Sequence, residues 1–275
     1  MTISVLMSLY KNEQAAYLHR ALQSVWDDQT LKPDQIVLIE DGPLGPELCS
    51  VIDQWQAKLG NILCLIKNQK NLGLAKSLNI GIAHVTSDLI ARMDSDDISA
   101  PERFQLQHDY LTKHPDIHIL GGSMQEFDED NEKLNVRNYP LDPDAARAYI
   151  QKASPLAHPT VMMRKQIFDD GLSYNEKYRK TQDLALWYDA LLAGYKISNV
   201  PQVTIFFRLD NDLFARRGKE KAWNEFMINM KGIYKLFGPI TLKYIFPISR
   251  LMFRMMPSSI VKFIYGSIVR KKLLN

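Results

Sequence analysis

The sequence predicts an α/β fold: a doubly wound, mainly parallel sheet with helices on both faces, followed by an amphipathic helical tail. Three observations predict it. Short apolar runs alternate with amphipathic stretches through the first 120 residues. Several of those runs are β-branched without alternation, as strands buried in a parallel sheet are. Polar clusters follow directly on the runs, where an open α/β sheet places its ligand crevice.

Ile3–Leu9 reads as the first strand, and Glu13–Trp26 has helical spacing through Ala16, Leu18, Ala21, Leu22 and Val25. Gln35–Ile39, Ile62–Ile66 and Leu89–Met93 repeat the strand pattern, with a helix over Leu74–Ala83. Strands alternating with helices imply right-handed βαβ units. Past Pro115 the alternation fades. Ile117–Gly122 and Pro159–Met163 read as strands, Asp128–Lys133 as a charged turn, and Pro140–Ile150 as the start of a helix. Thr181–Leu192 is a helix with Thr181 as its predicted N-cap and Gly194 at its end.

The chain has 275 residues, of which 46% are hydrophobic and 24% charged, so a mainly disordered chain is excluded. No run free of Asp, Glu, Lys and Arg exceeds 11 residues, short of the ~20 that a spanning helix needs. The N-terminus enters Ile3-Ser4-Val5-Leu6 without a basic flank, so no signal peptide is expected. Cys49 and Cys64 form no metal or disulfide framework, and a reducing cytosol is the default compartment. Residues 239–275 hold seven Lys or Arg and no acid, whereas the remainder carries 27 basic against 31 acidic residues. This tail is rich in Ile, Leu, Met and Phe, and Pro247 and Pro257 are expected to divide it into short segments. Its composition favours an anionic membrane surface over nucleic acid; the alternative is a cap packed on the protein itself or on another subunit.

Three polar clusters converge on one sheet edge: Ser8-Leu9-Tyr10-Lys11-Asn12-Glu13, Glu40-Asp41-Gly42-Pro43 and Asp94-Ser95-Asp96-Asp97. Three carboxylates within four residues repel one another unless a cation or hydrogen-bond donors hold them. Hard oxygen ligands suit Mg²⁺ or Mn²⁺, which usually also binds substrate phosphates. The alternative is a solvated acidic turn before the helix at Pro101. Asp41 could accept hydrogen bonds from a base or ribose, or serve only its turn. Asn71-Leu72-Gly73-Leu74-Ala75-Lys76 opens a helix where backbone N–H groups can meet phosphate. Asp183, in the first turn of its helix, reads as a dipole-favoured cap or as a general base. His158 reads as a structural histidine or as a contact to an acceptor.

In order along the chain, these blocks resemble the family 2 glycosyltransferases, inverting enzymes with the GT-A fold. Ser8–Glu13 is similar to the family's first loop and Glu40-Asp41-Gly42 to its Asp-Asp-Gly. Asn71-x-Gly73 running to Asn79-x-Gly81-Ile82 is similar to its third block. Ala91-Arg92-Met93-Asp94-Ser95-Asp96-Asp97-Ile98-Ser99-x-Pro101-x-Arg103 is similar to the metal block. His158-Pro159-Thr160-Val161 and Gln182-Asp183-x-x-Leu186-Trp187 resemble the acceptor blocks of bacterial surface-polysaccharide members.

The resemblance covers residues from about 2 to about 217. It implies a glycosyltransferase domain over 1–217, with a nucleotide-binding half (1–115) and an acceptor half (116–217), ahead of the tail at 218–275. Ser8, Tyr10, Glu13, Asp41, Asn71, Lys76, Asp94 and Arg208 would hold a nucleotide-sugar, with Asp41 reading a uracil. Asp96 would bind Mn²⁺ or Mg²⁺, Asp183 would be the catalytic base, Asp97 would assist orientation, and His158 and Trp187 would meet the acceptor. The sequence departs from the family at Gln182, at Glu40, and at Asp210, which stands where a histidine is frequent and could replace it as a metal ligand. The implied partners are a UDP-sugar donor, a polyprenyl-diphosphate-linked saccharide and the inner face of the cytoplasmic membrane, reached by a cytoplasmic, peripheral enzyme. Two rivals are a sugar-nucleotide pyrophosphorylase, disfavoured because Ser8–Glu13 lacks glycine, and a non-catalytic nucleotide-sugar-binding scaffold.

Overall fold

The structure, a computed structural model, describes residues 1–128, 132–209 and 219–255. The chain divides into two compact units, Met1–Asn211 and Asp212–Asn275.

The first unit begins with β1 (Ile3–Leu9), α1 (Ala15–Val25), β2 (Gln35–Glu40), α2 (Pro46–Leu59), β3 (Leu63–Lys67), α3 (Leu74–Ile82) and β4 (Leu89–Arg92). The four strands pair in parallel in the order β3-β2-β1-β4. Every residue of β2 and β4 is buried, which is why these segments read as continuous apolar runs. Ile3, Val5, Met7 and Leu9 of β1 pack with Leu18, Leu22 and Val25 of α1 and with Leu48, Ile52 and Trp55 of α2. Leu6 and Ile39 point to the other face, where a Cβ on Gly81 of α3 would lie 2.6 Å from each side-chain tip. Helices therefore cover both faces, as predicted. The helix over Pro46–Leu59, which the sequence reading left unassigned, completes the second βαβ unit.

The rest of this unit adds β5 (Ile98–Ser99), α4 (Arg103–Lys113), β6 (Ile119–Phe127), β7 (Lys133–Arg137) and α5 (Pro143–Tyr149). There follow β8 (Met162–Arg164), α6 (Gln166–Asp169), α7 (Gln182–Leu192) and β9 (Ile197–Arg208). These strands continue the sheet as β4-β8-β6-β9-β5, with β7 beside β6. β6 and β9 run parallel, whereas β8, β5 and β7 pair antiparallel with their neighbours. The sheet is thus parallel in its first half and mixed in its second. β6 shifts register against β9 between Gly122 and Ser123; a Cβ on Gly122 would approach Thr204 Cγ2 to 2.4 Å, so glycine permits this close crossing.

A buried polar network joins the two halves. Arg103 of α4 is almost fully buried; its Nη2 donates to the carbonyls of Arg92 (2.8 Å) and Val161 (3.2 Å), and its Nε to Gln107 Oε1 (3.1 Å). Gln107 Nε2 in turn donates to the carbonyls of Thr160 (2.8 Å) and Leu120 (3.1 Å). Burial, helped by nearby Arg92, pushes the Arg103 guanidinium down to about 9. The segments carrying β4, β6 and β8 are therefore tied to one helix.

Two expectations are corrected. Thr181 does precede α7, yet its side chain does not cap the helix: its hydroxyl donates to the Lys180 carbonyl instead. Thr181 sits at φ 65°, the sole non-glycine positive φ among the described residues, a costly conformation for a β-branched side chain. In the second unit, Pro247 does not divide the tail but lies in the first turn of a helix, where its missing N–H costs nothing. That unit contains α8 (Lys219–Phe237), a single 3₁₀ turn at Leu242–Tyr244 and α9 (Ile245–Met255). No helix among the described residues is long and apolar enough to cross a membrane.

Replacing Gln107 by Leu is expected to destabilise the first unit by ~2–4 kcal/mol, because it takes the acceptor from the buried Nε of Arg103 and this donor from two carbonyls. Urea denaturation followed by circular dichroism checks this; a loss below ~1 kcal/mol contradicts the network's role.

Candidate active site

The carboxyl ends of β1, β2 and β4 carry the three polar clusters, because parallel strands deliver their following loops to one edge. Beyond β2, Asp41 is buried and its carboxylate accepts from the backbone N–H of Leu72 (2.7 Å) and Gly73 (3.0 Å) and from Asn68 Nδ2 (3.2 Å). Its carbonyl accepts from Asn71 Nδ2 (3.2 Å). Asp41 therefore organises the loop that opens α3. Gly42 makes this possible: its φ is 95° and a Cβ there would lie 2.7 Å from the Asn71 nitrogen. Glu40, beside it, pairs with Lys67 at 3.1 Å. Tyr10, Lys11, Asp41, Pro43, Lys70 and Asn71 line an open cleft of about 520 Å³. Half-buried Ser8 does not line it. Lys76 is exposed and turns toward Glu176 (3.7 Å).

Next to this cleft, carboxylate oxygens of Asp94, Asp96 and Asp97 lie within 4.8 Å of one another. Asp94 is clamped by both Nη atoms of the buried Arg92, with Nη1 at 2.8 Å from Oδ2. Asp97 is fully buried; Oδ1 accepts from the Arg208 N–H (3.0 Å) and Oδ2 has no hydrogen-bond partner. The Arg208 guanidinium donates from Nε to the Asp96 carbonyl (3.0 Å) and stacks on Tyr17 (3.9 Å) and Phe127 (4.6 Å). Ser95 donates to Glu13 Oε2, which brings the first loop to the acidic turn. Burial, then the charges of Asp94 and Glu13, pushes the Asp96 carboxyl up to about 7. Burial, then the charges of Asp94 and Asp96, also holds the Asp97 carboxyl well above the usual carboxylate range.

Negative charge is thus in excess of what Arg92 offsets. A divalent cation fits here: the donors are hard oxygens, closely spaced, and one buried carboxylate oxygen lacks a partner. Because Arg92 occupies both oxygens of Asp94, Asp96 and Asp97 are the carboxylates placed to hold it. Asp210 lies outside the described residues.

The half-buried Asp183 stands in the first turn of α7, two residues after the strained Thr181. Its charge acts on the buried hydroxyl of Tyr174, as does that of Asp94. Burial chiefly holds the Tyr174 hydroxyl well above the usual tyrosine range, with Asp183 and Asp94 adding to it and Arg92 opposing. Tyr174 and His158 Nε2 share a hydrogen bond of 2.8 Å. Asn79 of α3 clamps the Tyr174 backbone from both sides, donating to its carbonyl and accepting from its N–H, each at 2.9 Å. Trp187 is fully buried and packs edge-on to His158, 6.0 Å between ring centres. His158 and Trp187 therefore lie beneath the surface and support the site from behind.

The structure brings Glu13, Asp94, Asp96, Asp97 and Arg208 together and places Tyr10, Asp41 and Asn71 along the neighbouring cleft. Two residues gain roles that the sequence reading did not assign. Arg92 was legible only as part of a block. Tyr174 sits in a polar stretch without periodicity, so nothing in the sequence marked it.

Burial and, secondarily, the charge of Arg92 hold His158 well below its usual range, so it is neutral when folded. An unfolded histidine protonates below pH ~6.5. The unfolded state then binds more protons, and stability is expected to fall as pH drops from ~6.5 to ~5. In His158→Gln that slope should flatten, measured by urea denaturation at each pH; an unchanged slope contradicts the assignment.

Comparison with known proteins agrees with this geometry. Residues 4–172 match the family model "Glycosyl transferase family 2". The chain is 33% identical over 269 residues to the amylovoran biosynthesis glycosyltransferase AmsE of Erwinia amylovora, covering 95% of this chain and 97% of the relative. It is 34% identical over 280 residues to an Escherichia coli UDP-Gal:alpha-D-GlcNAc-diphosphoundecaprenol beta-1,3-galactosyltransferase, covering 98% of this chain and 97% of that one. Its fold matches the mannosyltransferase PcManGT of Pyrobaculum calidifontis, solved with GDP-Man and Mn²⁺, with a TM-score of 0.66 at 13% identity over 97% of this chain and 79% of that one. A GT-A sheet, an acidic turn at its edge and relatives of this kind together make the chain a member of glycosyl transferase family 2, an enzyme of the transferase class.

Proposed function

We propose that this enzyme transfers a sugar from a UDP-sugar to a saccharide carried on a polyprenyl diphosphate, with inversion at the anomeric carbon, during surface-polysaccharide synthesis at the inner face of the cytoplasmic membrane. The observation that carries the proposal is the acidic turn, with three closely spaced carboxylates and the unpartnered oxygen of buried Asp97, at the sheet edge that also carries the cleft lined by Tyr10 and Asp41. The relative that uses UDP-Gal and a GlcNAc-diphosphoundecaprenol supports both the nucleotide and the lipid carrier.

Each residue then has a task. The aromatic ring of Tyr10 and the loop held by Asp41 receive the base, with Asn71 at the rim. Lys11 and Lys70, which line the same cleft, meet the diphosphate charge. Arg92 keeps Asp94 in one rotamer, so its outer lone pairs face the ribose. Asp96, with Asp97 behind it, holds Mn²⁺ or Mg²⁺, and such an ion stabilises the diphosphate leaving group. Arg208 fixes this turn through Asp96 and Asp97 rather than by reaching far from it. Asp183 takes the proton from the acceptor hydroxyl as that oxygen attacks the anomeric carbon opposite the departing diphosphate. Tyr174 and His158, both buried and neutral, hold the floor beneath this step.

Asp183→Asn is expected to lower kcat by ~10²–10⁴-fold while UDP binding stays within a factor of about two, because only proton transfer is removed. Turnover assayed with a UDP-sugar panel and a short-chain polyprenyl-diphosphate saccharide measures this, and near wild-type turnover contradicts it. Asp96→Ala is expected to weaken Mn²⁺-dependent UDP binding by at least about tenfold in calorimetric titration, with the metal-free affinity unchanged. Equal Mn²⁺-dependent affinities in the two proteins contradict the assignment of Asp96.

A further inference from the structure

The C-terminal unit presents a helix with an exposed apolar stripe. A helix facing water normally buries its apolar stripe and exposes its charges. In α9 the apolar residues Ile245, Ile248, Met252 and Met255 recur at intervals of three or four, so they form one stripe, and all four are exposed. The opposite side carries buried Pro247 and half-buried Leu251, and two arginines that reach back to α8. Arg250 Nη1 and Arg254 Nη1 each lie 2.6 Å from a different carboxylate oxygen of Glu225, which is buried on α8. Immediately before α9, Ile240 and Leu242 are 96% and 90% exposed. Of the sixteen large hydrophobic side chains most exposed among the described residues, nine fall within 219–255.

Glu225 is also the last acidic residue of the sequence, and nine Lys or Arg follow it. Its charge is used internally by two arginines, so the unit offers Lys231, Lys235 and Lys243 with no acid beyond Glu225 to oppose them. Exposed apolar side chains gathered so densely in one short segment mark an interface. A second copy would bring like charge against like charge, whereas anionic lipid complements it. With 11 residues, α9 is too short to span a bilayer and suited to lying in its surface.

We propose that Ile240, Leu242 and the α9 stripe form a docking surface for an anionic phospholipid bilayer, held ready by the Glu225 clamp. This deepens the reading of a lipid-linked acceptor and rests on it only for its purpose. The stripe inserts and the lysines meet headgroups, whereas Arg250 and Arg254 serve the clamp.

The test is flotation of the full chain with phosphatidylglycerol/phosphatidylcholine vesicles, with neither nucleotide nor acceptor present. Wild type is expected to float, and Ile248→Glu/Met252→Glu to lose at least roughly tenfold in partition. Ile248→Ser/Met252→Ser should show a smaller loss in the same direction; both variants should keep wild-type helicity and UDP binding. The proposal is overturned if wild type stays with the soluble fraction, or if both variants float as wild type does. It is also overturned if light scattering shows a wild-type dimer that the substitutions dissociate, because a second copy would then be the occupant. Failure here leaves the transferase reading untouched, since that reading is measured by turnover in detergent with a short-chain acceptor.

Discussion

Everything in the first unit is arranged around a crowd of like charges. Asp94, Asp96 and Asp97 bring their carboxylates within 4.8 Å, in surroundings that bury one of them completely. Such a turn would spring open in water. It is held by Arg92 against Asp94, by the Arg208 backbone and guanidinium against Asp97 and Asp96, and by the contact between Ser95 and Glu13. These partners come from β4, from the end of β9 and from the loop after β1. The repulsion that remains suits the turn to a cation.

The two halves of the sheet share one apolar core, and polar contacts add direction to it. Arg103 and Gln107 fix the carbonyls around β4, β6 and β8, and Asn79 grips the backbone at Tyr174. Asp41 anchors the loop before α3, and α3 carries Asn79. Hydrogen bonds at the two ends of α3 therefore connect the cleft at Asp41 with the backbone of Tyr174 and, through its hydroxyl, with His158. Apolar packing alone would leave the distance between those regions soft. Directional bonds fix it, and transfer between two bound molecules depends on that distance.

Much of this was legible in the residues. The parallel half was visible because strands buried on both faces must be apolar throughout, as Gln35–Ile39 and Leu89–Met93 nearly are. The acidic turn was visible because three carboxylates in four residues have few structural uses. What escaped were features set by tertiary contact. The strand Ile197–Arg208 carries polar and apolar residues without a clean period, so no local pattern marks it. Trp187 and His158 fit their block, yet nothing in that spacing reveals that both lie below the surface. The inward turn of Arg250 and Arg254 depends on Glu225, 25 and 29 residues away, a separation no local pattern can bridge. The left-handed Thr181 is a backbone choice that a threonine code does not announce.

The central claim is that the acidic turn becomes a metal site when a nucleoside diphosphate fills the adjoining cleft. Electron paramagnetic resonance of Mn²⁺, titrated into the protein with and without UDP, measures it most directly. With UDP present, the signal of free aqueous Mn²⁺ should be suppressed until one equivalent has been added, and Asp96→Ala should abolish that suppression. A free Mn²⁺ signal that rises from the first addition in the UDP-loaded wild-type protein would contradict the account.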